Sequence, residues 1–151
     1  MELSQFTDYS LRALMFAGVE SDRLCSVSEI AESYGISRNH LVKVVNRLAN
    51  LGYLRTVRGR GGGLELARPA EEINVGEVVR QTEPFELVEC FGSGESRCGI
   101  SGCCVLKGVL ASAKTAFLKT LDRYTLADLL TPRSEMAAVF RLASKAKAIA
   151  S

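Results

Sequence analysis

Five cysteines stand in this chain of 151 residues, and four of them, Cys90, Cys98, Cys103 and Cys104, fall within fifteen residues. Clustered thiols without a secretion signal point to metal or redox chemistry rather than to structural disulfides. Thiolates are soft ligands, suited to iron–sulfur clusters and to zinc. Zinc sites usually present close cysteine pairs. Here seven residues separate Cys90 from Cys98 and five separate Cys98 from Cys104, gaps that fit a bulkier cluster better than a single zinc ion. Neighbouring side chains diverge, so Cys103 or Cys104 stands aside and three thiolates remain. A four-iron cubane would then take a fourth ligand: an acid from elsewhere, a histidine, a small molecule, or Cys103 itself. The expected cofactor is an iron–sulfur cluster, with 4Fe-4S preferred and 2Fe-2S allowed. A helix beginning just after Cys104 would offer its positive end to such an anionic group. Cys25 is isolated and reads as a small apolar packing residue.

A second chemistry lies upstream. Between Arg38 and Arg68 there are seven basic residues and one acid, Glu65, on a chain whose net charge is only +2. A local basic block on a near-neutral chain is the footprint of a phosphate-binding surface. The elements that would carry it can be read from caps and periodicity. Residues 5–19 repeat Leu11, Leu14, Met15 and Val19 at helical spacing, with Thr7 as the expected cap and Asp8 in the first turn. Ser26 and Glu29 form a capping-box pattern before a short helix that Gly35 ends. Ser37 is the expected cap of the next helix, in which Leu41, Val44, Val45 and Leu48 make one buried stripe. Its other face carries Arg38, Asn39, His40, Lys43 and Arg47, residue types that reach base edges and phosphates. A short helix, a glycine turn and a second helix with a basic outer face predict a helix-turn-helix. Two short strands, 53–57 and 64–66, flank the glycine-rich tip that holds Arg58 and Arg60, so a β-hairpin wing follows. The expected DNA-contacting set is Ser37, Arg38, Asn39, His40, Lys43, Arg47, Arg58 and Arg60.

Downstream, the pattern predicts a short helix at 74–82, a Gly/Ser/Cys-rich loop at 86–104, a long helix at 105–121 and a short helix beginning at Thr125. The fold class is therefore mainly α with a small β-hairpin: a winged helix-turn-helix domain plus a long C-terminal helix. The domain reading is 1–82 for DNA binding, 83–104 for the cysteine loop, 105–131 for the long helix and short terminal helix, and 132–151 for a tail that is helical or disordered. No apolar run is long enough to cross a membrane, and the N-terminal residues lack the basic start of a signal peptide. A cytoplasmic protein with no membrane partner is expected. A thiol enzyme using Cys103 or Cys104 is the competing reading from another class, but no acid–base partner is visible near the loop, so no enzyme is expected. A zinc-stabilised interaction module is the third.

Three stretches, Phe6–Leu14, Tyr34–Lys43 and Val57–Gly63, together with Tyr124–Leu129, resemble the bacterial iron–sulfur winged-helix regulators that include IscR and RirA. The resemblance spans roughly residues 1–130 and falls on the nitric-oxide-sensing branch. It implies a homodimer joined through the helices at 105–121, and double-stranded operator DNA as partner. Cluster ligation by Cys90, Cys98 and Cys104 is implied, with Asp8 of the other subunit as fourth ligand. Nitric oxide is the implied effector, and the repressor would release DNA when its cluster is nitrosylated or lost. The longer first cysteine spacing keeps an iron- or cluster-status sensor of the IscR or RirA kind as the alternative.

Overall fold

A computed structural model describes residues 2–91 and 98–150, with side chains through residue 143. The first helix, α1 (Gln5–Val19), starts at Ser4, whose hydroxyl accepts from the Thr7 backbone N–H at 3.2 Å. The sequence had pointed to Thr7 as the cap. Thr7 is instead fully buried, because it faces the core one turn inside the helix. Helix α2 (Val27–Tyr34) carries the expected capping box: Glu29 N–H donates to Ser26 Oγ at 3.2 Å, and Ser26 N–H donates to Glu29 Oε2 at 2.6 Å. Gly35 closes it in the left-handed conformation. Helix α3 (Arg38–Asn50) follows at once. Ser37 occupies its N-cap position, but the hydroxyl makes no capping bond, so this expected cap is corrected to a position only. Leu41, Val44, Val45 and Leu48 of α3 are all buried against α1 and α2, as their spacing requires.

Strands β1 (Leu54–Val57) and β2 (Gly63–Leu66) pair antiparallel, with Leu54 opposite Leu66 and Arg55 opposite Glu65. Cys25 adds a third edge: it exchanges two backbone hydrogen bonds with Leu64, at 3.0 and 2.8 Å. A Cβ on Gly63 would sit 2.7 Å from the Cys25 carbonyl oxygen, so only glycine permits this approach. Helices, hairpin and bridge together make a winged helix-turn-helix.

Helix α4 (Val75–Thr82) is capped by Asn74, which accepts from Glu77 N–H at 3.0 Å. The long helix α5 (Val105–Leu121) covers the residues expected of it. A hydrogen-bonded joint holds α4 to the end of α5. Arg80 makes a two-pronged ion pair with Asp122, Nη2 to Oδ2 being 2.7 Å, and it lowers the Asp122 carboxyl below the ordinary range. Asn74 Nδ2 donates to the Asp122 carbonyl at 2.8 Å. Val75, Val79 and Leu118 form a small second core at this joint. Most of α5 is bare, with Val105, Leu106 and Val109 80%, 60% and 57% exposed. Among the described residues, no helix is long and apolar enough to cross a membrane.

The short helix α6 (Leu126–Leu129) is capped by Thr125 and Asp128. Residues beyond 132, for which the sequence left helix and disorder open, form α7 (Arg133–Ala150). It returns to the first core because Phe140 inserts between Phe16 and Tyr34, with ring centroids 4.8 and 5.4 Å away. Arg133 Nε fastens its start to the Val19 carbonyl at 3.0 Å. Phe140→Ala removes a buried aromatic, so it is expected to cost about 3 kcal/mol and to lower the urea midpoint. An unchanged midpoint would mean that α7 does not share the core.

Candidate functional site

The buried stripe of α3 leaves one arc of that helix to solvent, and the DNA-reading residues expected from sequence occupy it. Ser37, Arg38, Asn39, His40, Lys43 and Arg47 are all exposed. No acid lies in the first turn of α3, so its positive end is uncompensated and favours phosphate. Arg38 is braced from α2, its Nε donating to Ser28 Oγ at 3.2 Å. His40 lies beside the Tyr9 ring of α1, centroids 6.4 Å apart. Gln5, Phe6, Tyr9, His40, Lys43 and Val44 line a cleft of about 180 Å³ where the two helices meet. Ser28 and Tyr9 were not singled out from sequence, since nothing local marks a serine or tyrosine that supports a reader on another helix.

Arg58 and Arg60 stand exposed on the turn between β1 and β2. The remaining basic residues of the block are committed elsewhere. Arg55 pairs with Glu65 directly across the hairpin, and Arg68 lies over the Tyr53 ring at 4.5 Å. Arg38, Lys43, Arg47, Arg58 and Arg60 enter no ion pair among the described residues. These basic residues without an ion pair lie on the outer arc of α3 and the tip of the wing.

The cysteines divide sharply. Cys25 is 1% exposed and donates to the Leu64 carbonyl at 3.3 Å. Burial pushes its thiol up to about 11, and it packs as the sequence reading held. Cys90 is half-buried in a 3-10 turn, Glu89–Phe91, and Cys98 is exposed. Cys103 is exposed, with its thiol 3.6 Å from the Ile100 carbonyl. Cys104 is half-buried at the N-cap of α5, where its side chain makes no capping bond. No disulfide joins any of them. Asp8, on the first turn of α1, is paired with Arg12 one turn on, Nη2 to Oδ2 being 2.9 Å. Among the described residues, no three His, Cys, Asp or Glu side chains are gathered into a metal-binding group, so one chain does not bring Cys90, Cys98, Cys104 and Asp8 together. The donor set still suits a soft metal group. It offers three thiols on one loop, outside the core and outside any disulfide, the last of them on a helix N-terminus.

The profile of the Rrf2 family, described as iron-dependent transcriptional regulators, matches residues 3–132. The chain belongs to the Rrf2 family. It is 48% identical over 144 residues to the HTH-type transcriptional regulator NsrR of Bacillus subtilis (strain 168), covering 94% of this chain and 99% of that one. The NsrR of Halalkalibacterium halodurans is 49% identical over the same shares. Among solved structures, T. potens IscR superposes with a TM-score of 0.70 at 28% identity, covering 87% of this chain and 88% of its own. Staphylococcus aureus CymR gives 0.66 at 29% identity, covering 85% and 97%. These are winged-helix proteins, and the fold class read from sequence agrees with them. As an Rrf2 member the protein is a transcriptional regulator with a DNA-binding helix-turn-helix, not an enzyme. Lys43 on the outer arc has the reach and charge of a phosphate contact. Lys43→Ala is expected to weaken duplex binding alike on unrelated sequences and to lower the log–log salt slope by about 1. A full slope in the variant would place Lys43 off the DNA.

Proposed function

We propose that this Rrf2 regulator is an iron–sulfur cluster-dependent repressor that senses nitric oxide and leaves its operator when the cluster is damaged. The observation that carries the reading is a donor set of three uncrosslinked loop thiols, one opening α5, on a chain whose recognition arc is bare and basic. NsrR relatives near 48% identity along almost the whole chain support the same assignment. Cys90, Cys98 and Cys104 would hold the cluster, with Asp8 from the second subunit of a homodimer as fourth ligand. The apolar face of α5, with Val105, Leu106 and Val109 exposed, is the surface proposed for the second copy. Burying it answers the cost of leaving such a face in water.

When bound, the cluster supplies iron that a small diatomic ligand can attack. The chain's own part is to connect the loop to the reading helix. Glu83, at the exit of α4 and just before Pro84, accepts from both Ser4 N–H and Ser4 Oγ at 2.9 Å. That carboxylate ties the chain entering the loop to the start of α1. Helix α1 in turn lies against α3 through Tyr9 and His40. A loop that changes its arrangement therefore biases where α1 and α3 stand, and DNA affinity follows the population of the matched state. Two recognition helices in a dimer would read half-sites about one helical turn apart.

The decisive measurement is operator binding by anaerobic cluster-loaded protein titrated with nitric oxide, beside the metal-free protein. Tight binding by the loaded form, release on nitric oxide and weak binding by the metal-free form are expected. Equal binding by all three ends the sensing proposal. Release by an iron chelator with indifference to nitric oxide assigns the alternative, an iron- or cluster-status sensor. Asp8→Ala is expected to load with iron and sulfide but to lose them faster and with an altered absorbance spectrum. A variant with unchanged spectrum and lifetime removes Asp8 from the site.

A further inference from the structure

The loop that carries the thiols is fastened to α5 by a feature separate from its cysteines. Phe85, the third residue after the end of α4, is the one non-glycine residue with positive φ among the described residues, at 50°. That conformation costs a residue with a Cβ, and here packing holds it. The Phe85 ring meets Phe117 of α5 edge-on, centroids 6.2 Å apart, and joins the small core of Val75, Val79 and Leu118. Above it stands Lys114 of α5, its Nζ 6.0 Å from the Phe85 centroid and 5.3 Å from the Phe91 centroid. Phe91 immediately follows Cys90 in the same 3-10 turn, with its N–H bonded to the Val88 carbonyl at 2.9 Å. Lys114 enters no ion pair among the described residues. Its charge is committed to two aromatic faces, one at the root of the loop and one beside its first thiol.

We propose that Lys114 is the positioning residue of the thiol loop: its ammonium, shared between Phe85 and Phe91, holds the Cys90 arm on the helix that Cys104 opens. The proposal rests on the cluster reading for its purpose, while the fastening itself does not need a cluster. Cys90 and Cys104 sit at opposite ends of the loop, and closing a loop on a ligand costs less when one arm is already fixed. A cation over two rings does this without a covalent link, and salt or substitution can weaken it.

The test uses the full chain with Lys114→Met, which keeps the stem and removes the charge, and Lys114→Arg, which keeps the charge and stacks on rings. Hydrogen exchange of the metal-free protein over residues 85–91 is read first. Lys114→Met should exchange about fivefold faster there, the size of one exposed cation–π contact, with Lys114→Arg close to wild type. In the loaded protein, Lys114→Met should lose iron to a chelator several-fold faster, again restored by Lys114→Arg. Unchanged exchange in Lys114→Met, or no rescue by Lys114→Arg, overturns the positioning role. If the wild type takes up no iron and sulfide, the cluster reading fails, and the exchange measurement on metal-free protein still decides whether Lys114 fastens the arm.

Discussion

A helix can give only one face to a core, and in this protein the face that α3 gives decides the rest. Leu41, Val44, Val45 and Leu48 are buried at 0–4% exposure, each contributing on the order of 1.5–3 kcal/mol relative to an exposed position. Turning α3 by a third of a turn would surrender most of that. The orientation of the outer arc is thereby fixed by the opposite face, and the side chains of Arg38 and Lys43 project from a packed base. The wing depends on the same core. Its inner residue Leu64 is buried beside Cys25, so the hairpin tip with Arg58 and Arg60 is held at a set place relative to α3.

The second constraint is the joint between α4 and α5. Gly76 packs so tightly on Asp122 that a Cβ would sit 2.9 Å from the Asp122 backbone nitrogen. Asn74 and Arg80 then reach the same residue from either side. The joint couples the helix-turn-helix half to a long helix whose apolar residues Val105, Leu106 and Val109 are exposed. The root of the thiol loop, Phe85, is packed into this joint, and the Glu83 carboxylate two residues earlier holds the start of α1. The loop thus begins where three helices are cross-braced.

Local signals were legible in the sequence. The capping box of Ser26 and Glu29, the glycine stop at Gly35, the stripe on α3, the hairpin around Arg58–Gly63 and the span of α5 all follow from neighbours within a few residues. What was not legible depends on partners far along the chain. Ser4 rather than Thr7 caps α1, and Ser4 is held by Glu83, 79 residues away. Arg55 and Arg68 look like DNA-binding charges until the hairpin register sets Glu65 opposite the first and Tyr53 lies under the second. The fate of the tail turned on Phe140, whose pocket between Phe16 and Tyr34 is assembled from two other helices. The aromatic anchor at Lys114 was equally hidden, because its two phenylalanines lie 23 and 29 residues upstream of it.

The thiol donors differ from these packed parts, and the difference has a physical meaning. A preformed metal site binds with little cost in chain order, but it also responds little when the metal changes. Here the donors are present and one chain does not gather them. On the proposed reading, ligation would therefore have to draw the donors together, and part of the free energy of ligation would go into that rearrangement. The same free energy is what becomes available to move helices when the ligands let go. On that reading, donors anchored by Phe85 at one end and by α5 at Cys104 would let a change at the ligands act without disturbing either core. The rigid halves then set where the consequence is delivered: at one end through Glu83 to α1, and at the other through α5 to whatever covers its apolar face.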